Sequence, residues 1–204
     1  MRYDARMNIR TIAPALSLLL FVGCNSVEWV DFGDDIMANP AYMEASQAAG
    51  TPGHHHAELA KGAGEWVVDG MICSEPDTEM MPMNGTSTVE VILGGRVIRQ
   101  SFHSEFMGMP YEGQLLMGYD NLHDEYWSIW MDSFSTWYSP SWGFGDGEGN
   151  ISMAGTFQEV QTPNGRPNRT TIETHDDGSY TQRMYDLART GEEFLVMEFH
   201  YRRP

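Results

Sequence analysis

The sequence predicts an all-β fold, an antiparallel up-and-down β-barrel of about eight to ten strands, and three observations support this prediction. About ten strand-like runs follow one another between residues 65 and 202 at intervals of about ten residues. Each run ends near Gly, Pro, Asn or Asp, which are typical of hairpin turns. No helical pattern of about 10–15 residues interrupts the series, which argues against βαβ units. Closing such a meander into a barrel removes the exposed edges that an open sheet would leave.

The strand-like runs share an alternation of apolar and polar residues. They are Glu65–Ser74, Thr86–Leu93, Arg96–Phe106, Tyr111–Asp120, Glu125–Phe134, Trp137–Phe144, Ile151–Gln158, Arg169–His175, Tyr180–Leu187 and Glu193–Arg202. Turn composition is clearest at Gly94-Gly95, Pro163-Asn164-Gly165 and Asp176-Asp177-Gly178. In the run at 125–134 both faces carry aromatic residues. One face therefore covers the core, and the other lines a cavity or is covered by the N-terminal segment.

The N-terminus has the organisation of a targeting segment. Residues 1–10 contain three Arg, and the apolar run Thr11–Gly23 follows. This run has the length of a signal-peptide core, about 7–15 residues, and is too short for a transmembrane helix. It ends at Phe21-Val22-Gly23-Cys24, which resembles a lipobox, and we expect a lipoprotein signal peptide over residues 1–23 with lipidation at Cys24. An ordinary secretory signal cleaved nearby is the alternative, and Met7 is a second candidate start.

Residues 24–53 differ in composition from the strand region, since they combine acidic and small residues with a break at Thr51-Pro52-Gly53. We expect a flexible acidic tether with a helix around Pro40–Ala49. A second helical turn at His55–Lys61 would lead into a barrel domain at 54–204. Acyl chains on Cys24 would anchor the protein to a bacterial membrane, which predicts an extracytoplasmic location, at the outer membrane in a Gram-negative cell.

The charge of the chain argues against nucleic-acid binding. The sequence has 12 Lys and Arg against 29 Asp and Glu, a net charge of −17, whereas a nucleic-acid site needs a basic footprint. Removal of residues 1–23 would leave 9 basic and 28 acidic residues, a net charge of −19. Anionic lipid headgroups would repel such a body, so the acyl anchor alone would hold it at a membrane.

Six short motifs occur in order along the chain. They are Gly64-Glu65-Trp66, Leu93-Gly94-Gly95-Arg96, Pro110-Tyr111-Glu112-Gly113, Gly118-Tyr119-Asp120-Asn121, Trp130-Met131-Asp132-Ser133 and Met197-Glu198-Phe199-His200-Tyr201-Arg202-Arg203. Together they resemble the bacterial family named domain of unknown function 1579, whose barrel is similar to those of lipocalins and other calycins. The resemblance covers about Gly53–Arg203. It implies a lipocalin-like barrel that opens on Gly-x-Trp, and it implies no particular activity.

A barrel of this size can hold one small ligand. The candidate wall residues are the aromatic and charged residues in or beside these motifs, namely Trp66, Arg96, Glu112, Tyr126, Trp130, Asp132, Glu198 and Arg203. Tyr126, Trp130 and Asp132 share one strand face, and aromatic rings beside a carboxylate suit a flat apolar ligand with a donor or cationic group. For Arg96 and Arg203 a structural role is the alternative, in which they brace the barrel floor beside Trp66.

These residues predict a membrane-anchored, non-enzymatic barrel that binds a small, partly apolar molecule or acts as an envelope interaction module. No catalytic residue, cofactor or formed metal site is expected. An enzyme using Glu112, Asp132 and Glu198 is the first alternative, but spacing along a meander does not fix the distances between carboxylates. Cu(I) binding by the methionines of Met80-Met81-Pro82-Met83 and Met107-Gly108-Met109 is the second. The thiol of Cys73 is expected to be buried and inert.

Overall fold

The computed structural model describes residues 29–204, so the predicted signal peptide and Cys24 lie outside the described residues. The chain divides into two compact units at residues 47 and 48. A short 3-10 helix, Ile36–Ala38, precedes helix α1, Pro40–Gly50, which agrees with the helix expected there. Asn39 caps α1 because its side-chain oxygen accepts the N–H of Ala41 at 2.8 Å. Within residues 29–204, no helix has the length and apolar character needed to cross a membrane.

Helix α2, His54–Lys61, leads into eleven strands. They are β1 (Gly64–Ile72), β2 (Met81–Pro82), β3 (Gly85–Ile92), β4 (Val97–Phe106), β5 (Met109–Asp120), β6 (Glu125–Asp132), β7 (Ser139–Gly145), β8 (Ile151–Glu159), β9 (Thr162–Thr174), β10 (Tyr180–Leu187) and β11 (Glu193–Arg202). A second 3-10 helix, Leu93–Gly95, connects β3 to β4, and Gly94 and Gly95 take positive φ there.

Ten of these strands form a closed antiparallel barrel. Strands β3 to β11 pair in chain order, β1 pairs with β3, and β11 pairs with β1 to complete the ring. The closing register places Val67 opposite Arg202 and Ile72 opposite Met197. The two-residue strand β2 lies outside the ring and pairs with β1. The predicted up-and-down barrel is therefore confirmed, at the upper end of the expected strand number.

One predicted turn is wrong. Pro163-Asn164-Gly165 lies inside β9, and the hairpin turn occupies residues 160–161, between Glu159 and Thr162. Pro163 is tolerated because it stands at the second residue of the strand, where a missing N–H costs little. Gly165 has a φ of +82°, and a register shift at residues 157–159 bends the facing strand. Strand β9 therefore begins seven residues before the predicted Arg169.

The core lies inside the barrel in two clusters of buried side chains. The first contains Trp66, Val68, Met83, Val89, Phe102, Phe199 and Tyr201, and the second contains Met117, Tyr126, Ile151 and Met153. In β1 the buried residues are Trp66, Val68 and Gly70, every second position, as strand geometry requires. Burying one large apolar side chain contributes about 1.5–3 kcal/mol, so these two clusters dominate the stability of the barrel.

Candidate functional site

Helix α2 covers one end of the barrel, which we call the closed end. The ring of His55 stacks on Tyr119 with a centroid distance of 4.1 Å, and its Nδ1 lies 3.0 Å from the hydroxyl of Tyr126. Leu59 of the same helix packs against the second core cluster. At the start of the helix, the N–H of Gly53 donates to Nδ1 of the buried His56 at 3.1 Å. The helix is thus fixed by aromatic packing and by hydrogen bonds together.

The floor of the closed end is held by Arg203 and Trp66. The guanidinium carbon of Arg203 lies 3.8 Å from the centre of the Trp66 ring. The same guanidinium donates to the backbone oxygens of Ala63 at 3.0 Å and Lys61 at 3.2 Å. The indole N–H of Trp66 donates to the Gly62 oxygen at 2.9 Å. Arg203 therefore has the bracing position that the structural alternative describes.

A cavity of about 310 Å³ lies inside the barrel and reaches the opposite end, which we call the open end. Its outermost wall residues are near strand ends remote from α2, for example Ile72, Phe106 and Phe134. One wall is formed by aromatic and aliphatic side chains, including Phe102, Val196, Met197, Phe199 and Tyr201. The facing wall, from β6 to β10, carries the uncharged polar side chains Ser128, Ser139, Ser141, Asn168, Thr170 and Gln182. The cavity is therefore amphipathic.

Two of the eight predicted wall residues, Trp130 and Asp132, contribute to the cavity wall. The indole N–H of Trp130 donates to Oδ2 of Asp132 at 3.2 Å, and the backbone N–H of Phe134 donates to Oδ1 at 2.9 Å. Burial and the nearby carboxylate of Asp132 raise the pKa of Tyr111, another wall residue. The phenol of Tyr111 therefore keeps its proton and remains a hydrogen-bond donor at neutral pH.

The other six predicted wall residues lie elsewhere. Trp66 and Tyr126 are buried in the core clusters toward the closed end, and Arg203 braces Trp66 there. Arg96 is exposed and donates to the backbone oxygens of Gly50 at 2.6 Å and Leu93 at 3.2 Å.

Glu112 and Glu198 point to the outside of the barrel, because they alternate with the inward residues Tyr111 and Phe199. Glu112 has an exposed side chain 3.9 Å from His103, and Glu198 accepts from Arg183 Nε at 2.6 Å. The structure thus brings only Asp132, of the three carboxylates considered for catalysis, to the cavity.

The methionines of the two early loops are divided between the cavity and the surface. Met83 is buried and lines the cavity, whereas Met81, Met107 and Met109 are exposed. Cys73 is buried, as expected, and its thiol donates to the Leu195 oxygen at 3.3 Å. Across residues 29–204, no three His, Cys, Asp or Glu side chains are grouped to hold a metal ion.

The family of this chain follows from a comparison with family models. The family described as "Protein of unknown function (DUF1579)" matches residues 51–203. The chain belongs to this family. The matched range contains α2 and every strand of the DUF1579 barrel, so the resemblance inferred from the six motifs is confirmed. No curated protein matches the chain.

The sequence did not point to the polar wall of the DUF1579 barrel. Asn168 and Thr170 share the inward face of β9 with Ile172, but the prediction began that strand at Arg169 and left Asn168 in a loop. Gly155, inside β8, was a usable signal, since a glycine in a strand interior marks a close approach or an unfilled space.

A buried ion pair near the open end was also missed. Asp186 has a fully buried carboxylate, and its Oδ2 lies 2.6 Å from Nη2 of Arg166, which also pairs with Glu159. A buried charge is tolerated only when it is paired in this way. The alternation of β10 predicts an inward Asp186, but its arginine lies at the start of β9, which the sequence reading had placed in a turn.

Proposed function

We propose that the barrel binds one small, largely apolar molecule in its cavity. The observation that carries this proposal is the division of the cavity into an apolar wall and a wall of uncharged polar side chains. Ligand sites typically combine such an apolar lining with a few polar groups that fix orientation. The volume, about 310 Å³, lies at the lower end of the range of small-molecule sites, about 300–1,000 Å³.

Most of the affinity would come from the apolar wall. Apolar ligand surface removed from water contributes about 25 cal/mol per Å². The ring faces of Phe102 and Phe199, whose centroids are 5.6 Å apart, provide a surface for this burial. The polar wall would then decide which groups of the ligand are accepted, because an unmatched polar group loses its bonds to water. An uncharged ligand fits best, since Asp132 is the one charged residue in the wall.

A cavity-filling variant tests this proposal. Thr170 lines the cavity, and Thr170→Phe would place a ring inside it. Thr171, the next residue of β9, pairs with Ser152 and Arg183 on the outer face, so Thr171→Phe is the matched control. With the purified full chain and the uncharged fluorescent probe N-phenyl-1-naphthylamine, we expect Thr170→Phe to weaken binding at least about tenfold and Thr171→Phe to leave it unchanged.

Thermal unfolding of both variants checks that each is folded. Native mass spectrometry of the wild-type chain provides a second readout, in which a co-purified molecule appears as an added mass. Absence of probe binding to the wild type, or equal binding by both Phe variants, would contradict the proposal.

We also propose that the protein is a lipoprotein held at a bacterial membrane by Cys24, outside the cytoplasm. The basic residues, apolar run and lipobox-like ending of residues 1–24 support this, and the net charge of −17 argues against adsorption to anionic lipid. In cells fed labelled palmitate, the wild type should incorporate label and remain with membranes. The Cys24→Ser variant should do neither. A labelled Cys24→Ser protein, or an unlabelled and soluble wild type, would contradict the anchor, and ligand binding would not depend on that result.

A further inference from the structure

We infer that a notch in the polar wall selects ligands that carry a hydrogen-bond donor, a specificity that rests on the ligand binding proposed above. Ser141, Gly155 and Asn168 form this Gly155 notch. They are direct cross-strand neighbours, since Ser141 pairs with Gly155 and Gly155 pairs with Asn168. One inward row across β7, β8 and β9 therefore has a glycine between two polar side chains.

The glycine keeps the notch open. A Cβ on Gly155 would overlap the hydroxyl of Ser141 and would lie 2.9 Å from Oδ1 of Asn168. The space is thus bordered by oxygen atoms on both sides. Ser141 and Asn168 also line the cavity, so a bound molecule can reach the notch from inside the barrel.

Asn168 supplies the acceptor that needs a partner. Its Oδ1 is buried and has no hydrogen-bond partner within residues 29–204. Its amide nitrogen is directed to the sulfur of Met184 at 3.5 Å, which leaves the oxygen for the notch. Buried carbonyl oxygens in folded proteins are nearly always bonded, so an oxygen without a partner in a cavity wall marks the place of a donor from another molecule.

The carboxylate of Asp132 is a different case. Both of its oxygens already accept protein donors, one from Trp130 and one from the backbone of Phe134. A ligand donor is therefore needed at Asn168 and not at Asp132. Because the notch contains no charged side chain, the group it takes is an uncharged O–H or N–H. The ligand class is thus an apolar body, packed on the wall of Phe199 and Tyr201, with one hydroxyl or N–H group directed to the notch.

Two probes that differ in one donor test this inference. 2-Naphthol and 2-methoxynaphthalene share the same ring system, but only the first has an O–H. Calorimetry with the full chain should give about tenfold tighter binding of 2-naphthol, the difference expected for one buried hydrogen bond. In Asn168→Leu the two affinities should become equal through weaker binding of 2-naphthol. Asn164→Leu, the same exchange at an exposed position of β9, should keep the wild-type ratio.

Asn168→Ala only removes atoms and should give the same loss of preference, so it replaces Asn168→Leu if that variant does not fold. Asn168→Asp retains an oxygen at the notch and should retain the preference for 2-naphthol. Equal wild-type affinities, or tighter binding of 2-methoxynaphthalene, would overturn the notch and leave the proposed ligand binding intact. If neither naphthalene binds but N-phenyl-1-naphthylamine does, the notch is again overturned. If none of the three probes binds, the proposed function fails together with it.

Discussion

The two ends of the barrel are built from the same strands but with opposite chemistry. At the closed end, side chains of α2 and of the chain terminus are stacked or hydrogen-bonded, for example His55 on Tyr119 and Arg203 on Trp66. At the open end, Phe134 in the loop after β6 is 46 % exposed, and Val160 in the β8–β9 turn is 91 % exposed. The difference shows that one end stabilises the barrel and the other admits a ligand.

The electrostatics of the two ends differ as well. Arg203 satisfies backbone oxygens that would otherwise end without partners at the floor. At the open end the nearest acid, Asp132, is fixed by Trp130 at 3.2 Å and leaves the rim to apolar side chains. An exposed apolar rim is costly in water unless it serves an interaction, and here it borders the entrance of the cavity.

Truncation of one aromatic side chain at each end gives the largest expected contrast. Trp66 is 3 % exposed and packs edge-on against Tyr180, so Trp66→Ala should lower the free energy of unfolding by about 3–5 kcal/mol. Phe134→Ala at the open end should cost less than about 1 kcal/mol, because water already reaches that ring. Urea unfolding measures both.

Trp142→Ala is the control for the loss of an indole, since Trp142 is 50 % exposed on the outer face of β7. It should resemble Phe134→Ala and not Trp66→Ala. Equal losses at the two ends would show that the open end contributes as much stability as the closed end, and the division of roles would be wrong.

A smaller effect is expected from pH, and it should arise at the closed end. Burial lowers the pKa of His56 in the folded protein, with the charges of His55 and Arg96 adding to the effect. The unfolded chain, with a pKa of about 6.5, then takes up the proton first as pH falls. The contribution of His56 is fully present above about pH 6.5 and is lost as pH falls toward the lower folded-state pKa.

Urea unfolding at pH 7.5 and pH 5 measures this contribution. The stability lost between these values should be smaller in His56→Asn, which keeps an acceptor for the Gly53 N–H without a titrating ring. Each unit of pKa shift corresponds to about 1.4 kcal/mol, which is the scale of the difference. Phe134→Ala at the open end should show the wild-type pH dependence. Parallel profiles for the wild type and His56→Asn would rule out this origin.

The fold was predictable because its signals are local. Alternation within each run and turn residues between runs are properties of about ten consecutive residues, and an antiparallel meander needs little more. The error at Pro163 has the same origin, since a proline and a glycine near a turn resemble the turn itself. Strand register across the β8–β9 pair decided the matter, and register is set by the packing of the whole sheet.

The site was less predictable, because it depends on the face and the height of each residue in the barrel. The face can be read from alternation: Glu198 stands between the inward residues Met197 and Phe199 and therefore points outward. The height cannot be read in this way. Trp66 and Trp130 both face inward, but one belongs to the floor and the other to the cavity wall. Only the assembled register separates them.

The pairing of β1 with β11 also sets the order of events during synthesis. Every other pair in the ring joins strands that follow one another along the chain, so hairpins can form as soon as their residues appear. The last pair joins Val67 to Arg202, near the two ends of the domain, and must wait for translation to finish. Until then the nascent sheet has two free edges, and its completion depends on the final ten residues, Glu193–Arg202.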